Sequence, residues 1–149
     1  HGGVPVVISQ DGDNAGVIRV VEGFKSAMKS FDSRVPVVHL RHKQGGGDGY
    51  HKLAQHYGWA LAQVFTRLHI DYAPSLPPAA RVLILEEDLE IAPDFFDFFA
   101  ATAPFLDDPE ENLIAVSAWN DNGQEHHVSD PKALYRSSFF PGLGWMINR

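Results

Sequence analysis

Apolar runs and amphipathic stretches alternate along the first half of this chain. Short apolar runs predict strands at Val4–Ser9, Arg34–Leu40 and Val82–Leu85. Apolar positions at helical spacing predict a helix after Asn14, which is a suitable N-cap, and a second helix over Tyr50–Leu68. This alternation of strands and helices is typical of an α/β domain, and its buried strands favour a mainly parallel central sheet.

The second half of the chain continues the alternation. Four phenylalanines in Phe95–Phe99 predict a helix that packs into the core, and Leu113–Trp119 predicts another buried strand. We expect a short strand at Leu134–Arg136, followed by an aromatic loop at Phe139–Trp145 whose glycines allow close backbone approach. Because neighbouring residues of a strand point to opposite faces, His126–His127 is poor geometry for a shared metal and is expected in a surface loop.

Polar clusters follow three of the predicted strands, at Asp11, Glu86–Asp88 and Asn120–Asp121. In a parallel sheet these strand ends share one edge, which is where α/β proteins bind ligands. Three adjacent carboxylates favour a hard cation such as Mg²⁺ or Mn²⁺. An acidic triplet alone is more often a solvated strand end. The helix start at Pro93–Asp94 soon after the strand favours an acidic, metal-assisted site instead.

Composition and net charge narrow the classes of protein to which this chain can belong. The chain has 149 residues, enough for one domain with a core, and 44% hydrophobic with 21% charged residues is ordinary for a soluble protein. A formal net charge of −7 without a basic stripe argues against binding nucleic acid. There are no cysteines and no membrane-length apolar run. Since the chain opens at His1 without Met and stops at Arg149 directly after an apolar run, we expect a piece of a longer protein, truncated at both ends.

Two further features have ordinary structural explanations. The glycine-rich segment Arg41–Gly49 lacks the Lys-Ser or Lys-Thr ending of a phosphate-binding loop, so it is expected to be a flexible loop. His56 lies next to the apolar stripe of its helix, and a lone histidine there is more often structural than a ligand contact. Pattern alone therefore predicts an α/β domain with an acidic site and does not name a substrate.

Several longer motifs resemble the N-acetylglucosaminyltransferase I family, which adds GlcNAc in β1,2 linkage to a mannose of N-glycans. The resemblance runs in order over nearly the whole chain. The motifs are ISQD at Ile8–Asp11, QHYGWAL at Gln55–Leu61, LEEDLEIAPDFF at Leu85–Phe96, SAWNDNG at Ser117–Gly123, and LYR with FFPGLGW within Leu134–Trp145.

The resemblance implies a Rossmann-like fold of the GT-A type, with residues 1–149 forming the donor-binding core of a catalytic domain. It implies UDP-GlcNAc as donor, Mn²⁺ as cofactor, inversion at the anomeric carbon and a mannose-terminated glycan as acceptor. Family members are Golgi membrane proteins with a lumenal catalytic domain. The full-length protein is therefore expected to be membrane-anchored, and this segment is expected to be a soluble lumenal part.

Site residues are implied by matching motif positions. Asp88 matches the metal ligand, which would help stabilise the UDP leaving group. Glu87 matches the position associated with the ribose, and Glu86 the position facing the GlcNAc hydroxyls. The N-glycan enzymes generally have Glu-Asp-Asp here, so Glu87 is a departure that shifts the carboxylate by one methylene and puts the ribose contact in doubt.

The remaining matched positions lie outside the acidic motif. Asp11 and His56 match positions that bind the uracil end of the donor, which makes His56 a ligand contact under this resemblance. Leu143 matches a residue that packs on the donor sugar. An inverting transferase also needs a general base for the acceptor hydroxyl. The family's base lies beyond Arg149, so we expect little transferase activity from this segment alone.

Three alternatives remain open from the sequence. A related enzyme that acts on protein O-linked mannose has similar motifs and often carries Glu-Glu-Asp, as at Glu86–Asp88 here. A sugar-nucleotide-binding module without turnover would keep the donor residues and lose the base. A generic Mg²⁺-dependent phosphohydrolase would use the same acids, release phosphate without an acceptor sugar and show no preference for UDP.

Overall fold

The computed structural model describes residues 4–149, which divide into two compact units with a boundary between Ala79 and Ala80. The first unit contains β1 (Val6–Asp11), α1 (Ala15–Phe31), β2 (Val37–His42), α2 (Gly49–Ala62) and a π-helical segment (Gln63–Tyr72). The second unit contains β3 (Arg81–Ile84), α3 (Phe95–Asp107), β4 (Val116–Ser117) and β5 (Trp145–Asn148). The predicted α/β class is confirmed.

The sheet of the first unit consists of β1 and β2, which pair in parallel. The crossover between them is α1, whose first turn is capped by Asn14: its side chain accepts hydrogen bonds from the amides of Gly16 and Val17. Val38 and Leu40 of β2 are buried, and α1 and α2 both contact this strand. The parallel pairing predicted from the sequence is therefore confirmed for this pair of strands.

The second predicted helix has a different form from the one expected. The α-helix ends at Ala62, and π-helical bonding continues to Tyr72 instead of ending at Leu68. Leu68 is buried as predicted, whereas Leu53 near the helix start is 48% exposed. Because π-helical hydrogen bonds span five residues, the apolar stripe follows a different spacing in the second half of this element.

The sheet of the second unit corrects the prediction of a mainly parallel sheet. Its strand order is β3–β5–β4, and both pairings are antiparallel. Since β3 and β4 both run against β5, they run in the same direction as each other, with α3 between them in sequence. The chain after β4 returns through irregular structure, not a crossover helix. Strand β5 therefore begins at the edge of the sheet where β3 and β4 end, and it runs between them in the opposite direction.

The core of the second unit forms where α3 packs on this sheet. Phe95 and Phe99 are buried with Met146 of β5, which confirms the predicted packing role for two of the four phenylalanines. Phe98 is half-buried against the same core, but Phe96 is 62% exposed. The buried cluster comprises Phe95, Phe99, Ala103, Leu106 and Met146.

Several local predictions for the second unit are also tested by the structure. No strand forms at Leu134–Arg136, and the predicted strand Leu113–Trp119 is ladder-paired only at Val116–Ser117. His126–His127 is exposed in a turn, as expected. Within residues 4–149 no helix has the length and apolar character needed to cross a bilayer.

Candidate functional site

A group of aromatic and acidic side chains lies at the carboxyl ends of β1 and β2. We call Asp11, His42, His56 and Trp59 the histidine cluster. The parallel register places Asp11 beside His42, and Nδ1 of His42 lies 2.7 Å from Oδ1 of Asp11. The other carboxylate oxygen of Asp11 accepts a 3.1 Å hydrogen bond from Nε2 of Gln44. Both oxygens of this carboxylate are therefore engaged by residues at or just after the end of β2.

The two histidine rings of the cluster are stacked, and the Trp59 ring is tilted against both of them. The ring centroids of His42 and His56 are 5.5 Å apart, and the two ring planes are only 4° from parallel. The centroid of the Trp59 ring lies 4.9 Å from that of His42. Nε2 of His56 lies 2.7 Å from Oγ of Ser9 in β1. His56 is thus held between β1 and the ring of His42, and its orientation is set by both strands.

The surroundings of the cluster shift two pKa values. Burial raises the pKa of Asp11, but the hydrogen bonds from His42 and Gln44 outweigh it, so the pKa falls below its ordinary value. Burial lowers the pKa of His56, although the charge of Asp11 opposes this. The cluster therefore favours an ionised carboxylate and a neutral His56 imidazole at neutral pH.

The predicted acidic triplet follows β3 directly. Glu86 is half-buried, while Glu87 and Asp88 are exposed at the corners of a turn. Because β3 and β4 run in the same direction, this turn and Asn120–Asp121 follow strands that end at one edge of the second sheet. Among the described residues no group of three His, Cys, Asp or Glu side chains is arranged to hold a metal ion by itself.

A cleft of about 310 Å³ opens at the same edge of this sheet. It lies after β3, beside the starts of α3 and β5 and the end of β4. Its walls are mainly apolar, with two carboxylates, and the three acids of the turn precede the lining segment. The lining residues are Leu85, Leu89, Glu90, Ile91, Ala92, Asp94, Phe95, Phe98, Ala118, Trp119, Leu143 and Gly144.

The loop that carries Leu143 to this cleft is fixed by short contacts. Oγ of Ser117 donates a 2.9 Å hydrogen bond to the carbonyl of Pro141, and the Ala118 amide donates to the Gly144 carbonyl at 2.8 Å. Gly144 has φ +63°, and a Cβ there would lie 3.2 Å from the ring of Phe95. Position 144 therefore requires glycine, and the predicted close backbone approach is present.

A comparison with protein families decides the family of this chain. The model of the GNT-I family matches residues 2–149. The chain belongs to the GNT-I family. It is also 44% identical over 151 residues to the alpha-1,3-mannosyl-glycoprotein 2-beta-N-acetylglucosaminyltransferase of Arabidopsis thaliana, a match that covers 97% of this chain. The chain spans 30% of that relative's length. No solved structure matches it significantly.

The structure of this GNT-I family chain groups the predicted residues in two places. Asp11 and His56 belong to one cluster, where His42 bridges them. Glu86–Asp88 and Leu143 lie at one edge of the second sheet, with Leu143 in the wall of the cleft. The ligand and metal roles assigned to these residues remain predictions.

Sequence reasoning missed several members of the first group. Segment Arg41–Gly49 was expected to be a flexible loop, yet β2 extends to His42 and Gln44 bonds Asp11. The signal available in the sequence was the parallel pairing itself. Aligning the ends of two neighbouring parallel strands puts His42 beside Asp11.

Proposed function

We propose that this chain is the donor-binding part of an inverting glycosyltransferase. The reaction moves GlcNAc from UDP-GlcNAc to the 2-hydroxyl of a mannose in β1,2 linkage on N-glycans. The observation that carries the proposal is membership of the GNT-I family over residues 2–149, together with 44% identity to a plant enzyme named for this reaction. Both predicted site groups also follow strand ends, the position at which α/β proteins bind ligands.

The uracil end of the donor is assigned to the histidine cluster. Asp11 presents an ionised carboxylate, which accepts hydrogen bonds from a donor such as the N–H of a pyrimidine ring. His56 presents an imidazole whose ring plane is fixed by stacking and by the bond to Ser9. Fixed polar groups of this kind orient a ligand at little entropic cost.

The sugar and ribose are assigned to the edge of the second sheet. Glu86 and Glu87 follow β3, where their carboxylates can accept hydrogen bonds from hydroxyl groups. Leu143 contributes an apolar wall to the cleft, and apolar walls with a few polar groups are typical of small-molecule sites. The cleft volume of about 310 Å³ suits part of a nucleotide sugar.

Asp88 is assigned as the residue that would hold the Mn²⁺ ion. The described residues form no site with three His, Cys, Asp or Glu ligands. An exposed carboxylate nevertheless fits an ion that is held by one or two carboxylates plus substrate phosphates. When bound, the cation supplies Lewis-acid stabilisation of the leaving group. No residue of this chain is assigned as the general base.

The same proposal includes fold type and location. The parallel β1–β2 pair with its crossover α1 is consistent with a Rossmann-like half of a GT-A domain. The antiparallel β3–β5–β4 sheet would be the part that departs from a purely parallel arrangement. We further propose that the whole protein is a Golgi membrane protein with this segment in the lumen.

Calorimetric titration of UDP-GlcNAc into the chain, with Mn²⁺ and with a chelator, tests the donor site. We expect UDP-GlcNAc binding to require the metal. We also expect UDP to displace UDP-GlcNAc more effectively than CDP or ADP does. A mannose-terminated N-glycan is then added, and GlcNAc transfer is measured by mass spectrometry, with little transfer expected from this chain alone. Equal binding of all three nucleotides, or phosphate release without acceptor, would contradict the proposal and favour a phosphohydrolase.

A second acceptor is favoured by one observation, the glutamate at position 87 in the middle of the acidic motif. Glu-Glu-Asp is the form often present in the relative that acts on O-linked mannose of proteins. A whole protein that transfers GlcNAc to a mannosylated peptide faster than to an N-glycan would support this alternative. The reverse preference supports the N-glycan reaction.

A further inference from the structure

His42 contacts both residues that are assigned to the uracil end of the donor. Its Nδ1 lies 2.7 Å from the Asp11 carboxylate, and its ring lies 4° from parallel with His56. The side chain of His42 is only 14% exposed, so it is mostly shielded from solvent. Neither the family resemblance nor the motif positions assign a role to this residue.

We propose that His42 is a positioning residue that fixes the Asp11 carboxylate and the His56 ring in one arrangement for a uridine nucleotide. The inference rests on the proposed function, because the ligand is the one assigned to this cluster. His42 acts through its neighbours: one ring atom bonds the carboxylate, and one ring face supports the imidazole of His56.

The backbone explains why position 42 can do both. Asp11 and His42 are register partners in the parallel pair, and the Gly12 amide donates a 2.9 Å hydrogen bond to the carbonyl of His42. Gly12 has φ +88°, which turns the chain away directly after Asp11. The side chains of Asp11 and His42 therefore project side by side from the ends of adjacent strands. The hydrogen bond between them forms without a long or flexible side chain.

The remaining contacts show that the arrangement is fixed from two sides. Gln44 holds the second oxygen of Asp11, and Ser9 holds Nε2 of His56. A carboxylate oxygen has two lone pairs, so each oxygen of Asp11 keeps acceptor capacity for a ligand. Fixing these groups before binding lowers the ordering cost that a ligand would otherwise have to overcome.

Two substitutions separate the two contacts of His42. His42→Phe keeps a ring against His56 and removes the donor to Asp11. His42→Asn keeps a donor near the position of Nδ1 and removes the ring. We measure UDP binding in the presence of Mn²⁺ by calorimetry, and we follow the pKa of the Asp11 carboxyl by carbon NMR without ligand.

In His42→Phe we expect the pKa of Asp11 to rise towards its ordinary value and UDP affinity to fall about tenfold, the effect of losing a charged hydrogen bond. In His42→Asn we expect the pKa of Asp11 to stay low and affinity to recover in part. The matched control is His51→Phe, because His51 bonds Asp48 but is 73% exposed and outside the cluster. This control should leave both measurements unchanged.

The outcomes distinguish the inference from the proposed function. An unchanged pKa of Asp11 in a folded His42→Phe variant overturns the inference without any ligand. A shifted pKa with unchanged UDP affinity also overturns it, while the donor site itself stands. If the parent chain binds no uridine nucleotide, the proposed function fails and the positioning role fails with it. Spectra of the amide backbone identify any variant that has not folded.

Discussion

The two aspartates that follow strands β1 and β3 have different surroundings. Asp11 has both carboxylate oxygens bonded, to His42 and Gln44, and its side chain is 19% exposed. Asp88 lies exposed in a turn, and no three-residue metal-binding group forms around it or elsewhere in residues 4–149. One carboxylate is therefore fixed by protein contacts, and the other has room for contacts that a ligand supplies.

Under the proposed function, this difference corresponds to two ways of using a carboxylate. A carboxylate that hydrogen-bonds a nucleobase benefits from a fixed position, because a displaced acceptor loses its hydrogen bond. A group that shares a cation with a diphosphate benefits from exposure, because water and phosphate must reach the same ion. We expect the second unit, which carries the acidic turn, to depend on its α3 core, whereas the histidine cluster depends on bonds between its own side chains.

The largest expected effect comes from disrupting the core between α3 and the second sheet. Phe99 is 3% exposed and packs in the core that α3 forms with the second sheet. Phe99→Ala should destabilise the second unit by about 3–5 kcal/mol, as for other buried phenylalanines. Hydrogen exchange of the β5 amides measures this loss.

Phe96→Ala is the matched control, since Phe96 is on the same helix but 62% exposed. Its effect should stay below about 1.5 kcal/mol, because its ring makes only an edge contact with Phe95. If the β5 amides of the two variants exchange at the same rate, the stability of the second unit does not depend on burial of Phe99.

The next effect concerns the metal. Asp88→Asn removes one charge at nearly constant shape and should weaken Mn²⁺-dependent binding of UDP about a hundredfold, because one partner of a charged interaction is lost. Glu110→Gln removes a charge from another exposed position of the same unit and should leave binding unchanged. Calorimetry with Mn²⁺ compares the variants. Full metal-dependent affinity in Asp88→Asn would assign the metal to another residue.

A smaller effect tests whether the histidine cluster is independent of the helix after β1. Asn14→Ala removes the acceptor for the Gly16 and Val17 amides and should cost about 1 kcal/mol of unfolding free energy. Asn14→Ser keeps an acceptor and should lose only a fraction of this. Because the cluster is bonded between β1, β2 and α2, UDP affinity should not change in either variant. Weaker binding by Asn14→Ala would show that the cap also supports the cluster.

The smallest effect is a pH dependence of the first unit. Burial lowers the pKa of His56 in the folded state, against the opposing charge of Asp11, so the unfolded chain binds the proton more strongly. The free energy of unfolding should therefore decrease as the pH falls through the ordinary pKa of histidine, about 6.5. Urea unfolding at several pH values, followed at the β1 amides, measures the slope.

His56→Gln keeps a hydrogen-bonding group near Ser9 and cannot titrate in this range, so its slope should be shallower than that of the parent chain. Parallel slopes for the two proteins would contradict the role of His56 in this pH dependence. Asp11 acts at lower pH in the same direction. Because its pKa is lowered in the folded state, Asp11 stabilises the fold at pH values above its ordinary pKa. This stabilisation is lost as the pH falls and the carboxylate protonates.

Much of the fold followed from local signals in the sequence. The Asn14 cap, the helix at Phe95–Phe99 and the strand before Glu86 depend on short-range chemistry, and each is present. The antiparallel entry of β5 between β3 and β4 was not predicted, because strand order depends on pairing between distant segments. Leu134–Arg136 had strand-like residues, but no neighbouring strand in the described structure pairs with it.

The site could be predicted only in part for the same reason. Asp11 and the acidic turn were visible as polar groups after apolar runs. His42 and Gln44 are polar residues of an apparent loop, and only the register of β1 with β2 shows that they contact Asp11. Contacts that depend on register are not visible in a single segment.

The central position of β5 has a consequence for the timing of folding during synthesis. Ile84 of β3 pairs with Trp145, about 60 residues later in the chain, and within residues 4–149 β4 pairs only with β5. Until the ribosome has made Trp145 and the residues after it, the apolar surface of β3 and α3 has no partner strand to cover it. At about 5–20 residues per second this interval lasts seconds. The second unit is therefore exposed to chaperones for longer than the first, whose strands are separated by one helix.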